Sequence, residues 1–206
     1  MTRRLLTPAL PLLALLPLSL LAGCVAPTGP IEVTRFHVPD TARLGTGPIA
    51  VVAAPGMNTG SIELKTFEEA VARELQRAGY ADTAGGSAAP QVAEVRLDRR
   101  TWQPERSRSP VSVGLGGSTG SYGSGVGMGL GIDLSGRPPR QTETLLGLVI
   151  RDRASGTVLW EGRASFTVRA DSPLATTPLG AAQMAAALLG GFPGRSGETV
   201  LVKPVG

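Results

Sequence analysis

The N-terminal stretch decides which residues of this chain can contribute to a fold. Two arginines precede an apolar run at residues 5–21, and the only cysteine, Cys24, follows shortly after it. A helix needs ~20 apolar residues to cross the hydrocarbon core of a membrane. The run is shorter than that and contains three prolines, each of which removes a helix hydrogen-bond donor. It therefore predicts a cleaved signal segment, residues 1–23, and not a transmembrane helix.

The signal segment ends in a sequence that resembles the lipobox of bacterial lipoproteins: Leu21, Ala22, Gly23 and Cys24. The resemblance implies that a signal peptidase recognises the first three residues. It also implies that Cys24 takes a diacylglyceryl group on its thiol and an acyl chain such as palmitate on its freed amine. Val25 stands where an aspartate favours inner-membrane retention, so the implied location is the outer membrane, periplasmic face. The alternative is an ordinary signal peptide followed by an unmodified cysteine.

The rest of the chain is suited to one domain in the periplasm. Loss of the signal segment removes two arginines and no acid, so the formal net charge falls from +4 to +2. This near balance argues against a nucleic-acid partner. Because the chain has one histidine and one cysteine, we expect no disulfide, no metal site and no cofactor. The predicted organisation is a lipidated tether at residues 24–30 and a single α+β domain at residues 31–206.

Two amphipathic segments predict helices. In the first, Thr66 and Glu69 have the spacing of a capping box, and Gly79 supplies a C-terminal stop. Thr177 and Pro178 open the second. The apolar stripes are Phe67, Val71 and Leu75 in the first helix, and Ala181, Met184, Ala185, Leu188 and Leu189 in the second. We interpret both stripes as core-facing, and a partner-docking face is the alternative for the first.

Apolar patterns predict strands in the remainder of the domain. Candidate strands lie at residues 31–38, 48–54, 92–97, 142–152, 158–169 and 198–203, the last being an edge strand or a covering tail. The run at 142–152 is apolar on both faces, which predicts a central strand. In the strand after it, Trp160 has the parity of the core residues. We therefore expect Trp160 to be buried and not to form a ligand platform.

The glycine-rich segment around residues 114–136 predicts a long hairpin. Its second half alternates glycine with serine or apolar residues, with the glycines at Gly123, Gly125, Gly127, Gly129 and Gly131. An extended strand places such glycines on one face and the apolar row on the other. Val111, Val113 and Leu115 alternate with serine and glycine in the same way, so we expect a turn within residues 117–122. A linker is the alternative that composition favours.

An arginine cluster from Arg96 to Arg108 is the best candidate for a binding site. Its possible ligand-binding residues are Arg96, Arg99, Arg100 and Trp102, with Arg106 and Arg108 nearby. Guanidinium groups beside an indole can hold phosphate or acidic sugar groups. The hypothesis is a module for an anionic envelope component, and it requires these side chains to converge on one concave surface. Interleaved acids favour the alternative, a solvated sheet edge or loop.

A remote alternative is a serine hydrolase. The sequence around Ser118 fits the pattern G-x-S-x-G of a nucleophile elbow. That elbow needs a helix after the serine and a histidine downstream in the chain. More glycine follows instead, and the only histidine, His37, lies upstream. We therefore expect no catalytic residue and interpret His37 as structural or solvent-facing.

The body of the chain resembles a family of small bacterial lipoproteins that carry domain of unknown function 4136. The matching stretches are Ser61 to Leu64 with the helix up to Gly79 and Tyr80, the glycine-rich hairpin, Asp152 to Gly162, and Leu188 to Gly194. The resemblance covers most of residues 48–202. It implies an envelope location and a fold, but no activity.

Together these patterns predict an α+β domain with a mostly antiparallel sheet of about five to seven strands. Two helices should pack on one face of the sheet, and a long glycine-rich hairpin should extend from it. The predicted function is that of a non-enzymatic, membrane-anchored lipoprotein that binds or scaffolds an envelope protein or glycan. The lipid is its predicted contact with the membrane.

Overall fold

The structure is a computed structural model. It describes residues 28–82, 88–105 and 138–205, together with the backbone of residues 111–120 and 123–132. The signal segment and the predicted lipidation site lie outside the described residues.

Strands and two helices alternate along the described chain. The strands are β1 (Ile31–His37), β2 (Pro48–Ala53), β3 (Ala81–Asp82), β4 (Gln91–Trp102), β5 (Val111–Gly120), β6 (Gly123–Ile132), β7 (Gln141–Asp152), β8 (Val158–Arg169) and β9 (Glu198–Val202). The helices are α1 (Ile62–Arg77) and α2 (Thr177–Leu189), and a short 3-10 helix (Pro173–Ala175) precedes α2.

The main sheet has seven strands in the order β3-β2-β4-β7-β8-β1-β9. Strand β2 is parallel to β3 and β4, and every other pairing in this sheet is antiparallel. Strand β3 contributes only two residues. The predicted α+β class, the mostly antiparallel sheet and the two helices are confirmed. The last candidate strand is β9, which forms one edge of the sheet.

Both helices pack on the same face of the sheet and bury its core. The apolar stripes predicted for α1 and α2 are buried in full. In β8, Trp160, Ala164, Phe166 and Val168 are buried against them, as their alternation predicts. The opposite side of the sheet, which no described helix covers, is called the open face below.

Helix α1 begins one turn earlier than predicted. Ser61 is the N-cap, and its hydroxyl oxygen accepts a hydrogen bond of 3.3 Å from the backbone N–H of Leu64. The predicted cap, Thr66, lies inside the helix and donates to the carbonyl of Ile62 at 3.0 Å. The capping-box assignment was wrong because Leu64 continues the buried stripe N-terminally, so packing extends the helix past that box.

The C-terminal stop of α1 at Gly79 is confirmed. Its φ of 107° lies in the region that favours glycine. A Cβ there would also lie 2.5 Å from the carbonyl oxygen of Gly45, so the two loops touch through backbone. Glycine is therefore required twice at this position, by conformation and by space.

The C-terminus of α2 is held by a buried cation from β1. Arg35 donates from Nε to the carbonyl of Leu188 at 2.9 Å and from its second terminal nitrogen to that of Ala187 at 2.8 Å. These carbonyls belong to the last turn, where the helix has no hydrogen-bond donors of its own. Burial lowers the pKa of the Arg35 guanidinium, and the Glu198 carboxylate opposes that shift. These two hydrogen bonds hold the C-terminus of α2 over β1.

Strands β5 and β6 form a separate antiparallel pair. The pairing runs from Val111 opposite Ile132 to Gly120 opposite Gly123. Residues 121 and 122, where the predicted turn ends, lie outside the described residues. The one-sided glycine face stays a prediction, because it concerns side-chain placement that the structure does not describe.

Gly162 offers a test of the packing beneath α2. A Cβ at this position would lie 2.2 Å from a ring carbon of the buried Trp160 and 2.9 Å from a methyl of Leu188. We expect Gly162→Ala to lower the free energy of unfolding by about 1–3 kcal/mol, because an overpacked core must shift. Gly147→Ala is the control, since its Cβ would meet Arg96 at an ordinary 3.5 Å. Equal urea midpoints for the two variants would contradict this packing.

Candidate functional site

The open face of the sheet carries a groove of about 600 Å³. The groove crosses β4, β7, β8 and β1, which are the four consecutive strands in the middle of the sheet. It lies on the side opposite the helices, so the residues that line it alternate with core residues along each strand.

The depression begins at Gly147 in β7. Gly147 pairs with Arg96 of β4 on one side and with Arg163 of β8 on the other. Because glycine has no side chain, a gap remains between the two arginine positions on the open face. The backbone of β7 is therefore reachable at the centre of the sheet.

Two large apolar side chains stand in the groove. Phe36 of β1 is 52% exposed and Leu145 of β7 is 42% exposed. The next residue along β7, Leu146, is 1% exposed because it faces the helices. The predicted central position of β7 is confirmed. Its second apolar face, however, lines the groove and is not packed into a core.

The charges around the groove are mixed, with a slight acidic excess. Glu161 and Arg163 form an ion pair of 2.7 Å. Arg96 lines the groove, and its guanidinium donates to the carbonyl of Pro55 at 3.1 Å. The remaining two charged residues are acids, Glu32 and Asp98. Among the described residues, neither of these carboxylates forms an ion pair.

The predicted arginine cluster does not converge. Strand β4 alternates, so Arg99 points to the helix side, whereas Arg96 and Arg100 lie on the open face. The guanidinium of Arg99 bonds Glu63 at 2.5 Å and Thr177 at 3.0 Å, and it also donates to the carbonyl of Ala175. The single concave surface proposed for these residues is therefore wrong. These arginines are close in sequence, but the two-residue period of a strand places their side chains on opposite faces of the sheet.

The other members of the cluster lie toward the end of β4. Arg100 forms an ion pair of 2.5 Å with Glu143 on the neighbouring strand. Trp102, the last residue of β4, is half-exposed and does not line the groove. Arg106 and Arg108 lie outside the described residues. Of the predicted site residues, Arg96 alone lines the groove.

His37, Ser118 and the four lipobox residues are the remaining residues that the sequence analysis considered. His37 lies between two backbone carbonyls, with Nδ1 2.7 Å from Val38 O and Nε2 3.3 Å from Gly194 O, which agrees with its structural interpretation. Ser118 lies within β5, opposite Gly125, and β6 follows where a nucleophile elbow needs a helix. The four lipobox residues, Leu21, Ala22, Gly23 and Cys24, lie outside the described residues.

The described ranges offer neither a cluster of metal ligands nor a membrane-spanning helix. There, no three side chains of Asp, Glu, His or Cys approach closely enough to hold a metal ion. None of the helices in the same part of the chain has the length and apolar character needed to span a membrane.

Comparison with known proteins gives distant relatives. No family model matches the chain. An uncharacterized protein of Zymomonas mobilis subsp. mobilis is 27% identical over 85% of this chain and 81% of its own length.

Among solved structures, a PDZ domain protein from Parabacteroides distasonis aligns with a TM-score of 0.46 and 12% identity. This alignment covers 84% of this chain but only 39% of that protein. The PelC dodecamer from Paraburkholderia phytofirmans aligns with a TM-score of 0.42 and 15% identity, over 81% of this chain and 99% of PelC. Similarities this distant do not identify a function.

Neighbouring leucines in β7 test which face is open. We expect Leu146→Ala to cost about 2–5 kcal/mol of unfolding free energy, because it removes a fully buried side chain. Leu145→Ala should change it by about 0.5 kcal/mol or less, as substitutions at exposed positions do. Urea denaturation of the two variants makes the comparison. A large loss from Leu145→Ala would mean that this face is covered.

Proposed function

We propose that this chain is a non-enzymatic lipoprotein of the bacterial envelope. It is anchored through Cys24 in the outer membrane, faces the periplasm, and binds a partner protein in the open-face groove. The observation that carries the binding role is the groove itself, with Phe36 and Leu145 exposed in the middle of an otherwise well-packed sheet. A concave surface of this volume with exposed apolar side chains and a few polar groups is the default candidate for a binding site.

The anchor is supported by the sequence and by energetics. A lipobox-like sequence at the end of a signal segment leaves Cys24 as the first residue of the mature chain. Each buried methylene contributes about 0.8 kcal/mol, so one acyl chain of ~16 carbons contributes roughly 10 kcal/mol. Basic residues near an anionic surface contribute only about 1 kcal/mol each. Membership of the lipoproteins with domain of unknown function 4136 belongs to the same proposal.

The chemistry of the groove favours an apolar segment with a basic side chain as its occupant. The floor offers Leu145 and the backbone beside Gly147, which suit an extended apolar segment. The carboxylates of Glu32 and Asp98 form no ion pair among the described residues and lie on opposite sides of the groove, so a lysine or arginine of the partner can pair with either one. An anionic envelope component is disfavoured, because the arginines that were to hold it are divided between two faces.

A photo-crosslinking experiment in living bacteria tests the groove. A photoreactive amino acid replaces Leu145 in the full-length protein, and the control position is Val52, which is exposed elsewhere on the sheet. We expect a discrete protein adduct from position 145 only. Glu32→Gln combined with Asp98→Asn should abolish it, and mass spectrometry should place the crosslink in an apolar segment with a basic residue.

Two results contradict the binding role: no protein adduct at position 145, or the same adducts at position 52. A Cys24→Ser version of the same protein separates the anchor from the groove. If the adduct persists in Cys24→Ser, and the Cys24→Ser protein is cleaved after residue 23 and still fractionates with membranes, the groove is supported and the lipid anchor is not.

A further inference from the structure

One end of the main sheet receives the chain from its N-terminus. Trp102, Gln141 and Arg169 pair in a row across β4, β7 and β8, and Ile31 begins β1 at the same end. We call this the tether end. Just before β1, a Cβ at Gly29 would lie 3.9 Å from the carbonyl oxygen of Thr167, so the incoming chain runs along β8.

The first turns of both helices also lie at the tether end. Arg99, three residues before Trp102, bonds Glu63 in the first turn of α1 and Thr177 at the start of α2. The Thr177 hydroxyl donates to the same Glu63 carboxylate at 3.1 Å. At ~3.3 Å per residue, Trp102 lies only about 10 Å further along β4. Both helices therefore point their N-termini in the direction in which β4 ends.

Large apolar side chains from three different elements are exposed at this end. Ile62, the first residue of α1, is 82% exposed, and Leu179, in the first turn of α2, is 49% exposed. Trp102 is 46% exposed. Trp102 lies on the open-face side of this end, and Ile62 and Leu179 lie on the helix side. Tryptophan is typical of the boundary between a bilayer and water, because its ring is apolar and its N–H is polar.

The length of the tether limits what these side chains can contact. Thr28 is the first described residue and lies four residues after Cys24. A fully extended chain spans at most ~3.6 Å per residue, so the lipidated cysteine lies within about 14 Å of Thr28. With the acyl chains of Cys24 in a bilayer, the tether end cannot move far from the membrane surface.

The geometry points to the tether end as a membrane-contacting surface, with Ile62, Trp102 and Leu179 against the phospholipid bilayer. This inference rests on the proposed lipid anchor. Three acids near this end are paired with arginines, which weakens their repulsion of anionic lipids: Glu63 with Arg99, Glu143 with Arg100, and Asp171 with Arg169. The apolar side chains bind and the tether keeps them close, so the domain stands on its tether end and presents the faces of the sheet to the periplasm.

Tryptophan fluorescence tests the contact directly. The protein is produced in bacteria from the full-length gene, purified in its processed form, and reconstituted into vesicles of phosphatidylethanolamine and phosphatidylglycerol with brominated acyl chains. Trp160 is fully buried, so changes in emission report on Trp102, and Trp102→Phe verifies this. We expect the Trp102 emission to shift to shorter wavelength and to lose most of its intensity in brominated vesicles, compared with unbrominated ones.

Substitutions at the tether end test whether its apolar side chains make the contact with the bilayer. Ile62→Glu combined with Leu179→Glu should restore most of the Trp102 emission, whereas Phe36→Glu, at a similarly exposed site in the groove, should not. Unchanged emission in brominated vesicles, or equal effects of the two sets of variants, would overturn the inference.

A second experiment, in which Cys24 is coupled chemically to a lipid, distinguishes this inference from the proposed lipid anchor. If Cys24 is recovered with a free thiol, it is joined to a maleimide headgroup lipid in the same vesicles. Quenching of Trp102 in that coupled protein would support the membrane-contacting surface while contradicting natural lipidation. Lipidated protein without quenching would support the anchor and overturn the contact.

Discussion

The buried guanidinium of Arg35 organises the helical layer of this domain. A cation taken out of water is costly unless its hydrogen-bond donors are satisfied, and here they meet the last carbonyls of α2. Because those carbonyls mark the C-terminus of the helix, Arg35 also sets the direction of α2 over the sheet. Gly194 leaves the room that this requires, since a Cβ there would lie 3.0 Å from the arginine side chain. The C-terminus of α2 lies over β1, and its N-terminus meets Arg99 at the tether end.

The two faces and two ends of the sheet thus acquire different roles. One face is covered by α1 and α2 and supplies stability, and the other keeps the groove around Gly147 accessible. One end receives the N-terminal chain and exposes apolar side chains. At the opposite end Phe192 contacts Tyr80 edge-on and Trp160 at a tilt, near the helix C-termini. An anchored domain with this arrangement can rest on a membrane and still offer the groove to a partner.

Much of the fold follows from residue periodicity, and the groove does not. The period of two in β8 and the helical stripes of α1 and α2 identified their buried faces, because each pattern reports which residues avoid water. The cap of α1 was misplaced, since tertiary packing of Leu64 outweighed a local hydrogen-bond motif.

The prediction that the arginines form one cluster was wrong for a related reason. Adjacent residues of a strand point to opposite faces of the sheet. The groove left a signal in Leu145, Gly147 and Val149, which form an apolar second face on β7. Sequence alone cannot show whether such a face is packed or open, because that depends on which elements cover it. The structure supplies this answer through Leu145.

Mass spectrometry of the mature N-terminus tests the central claim, that this domain is held at a membrane by one modified cysteine. The account predicts an N-terminal peptide that begins at Cys24 and carries a diacylglyceryl thioether together with an acylated amine. A peptide that begins upstream of Cys24, or one that begins there with a free thiol, would contradict it.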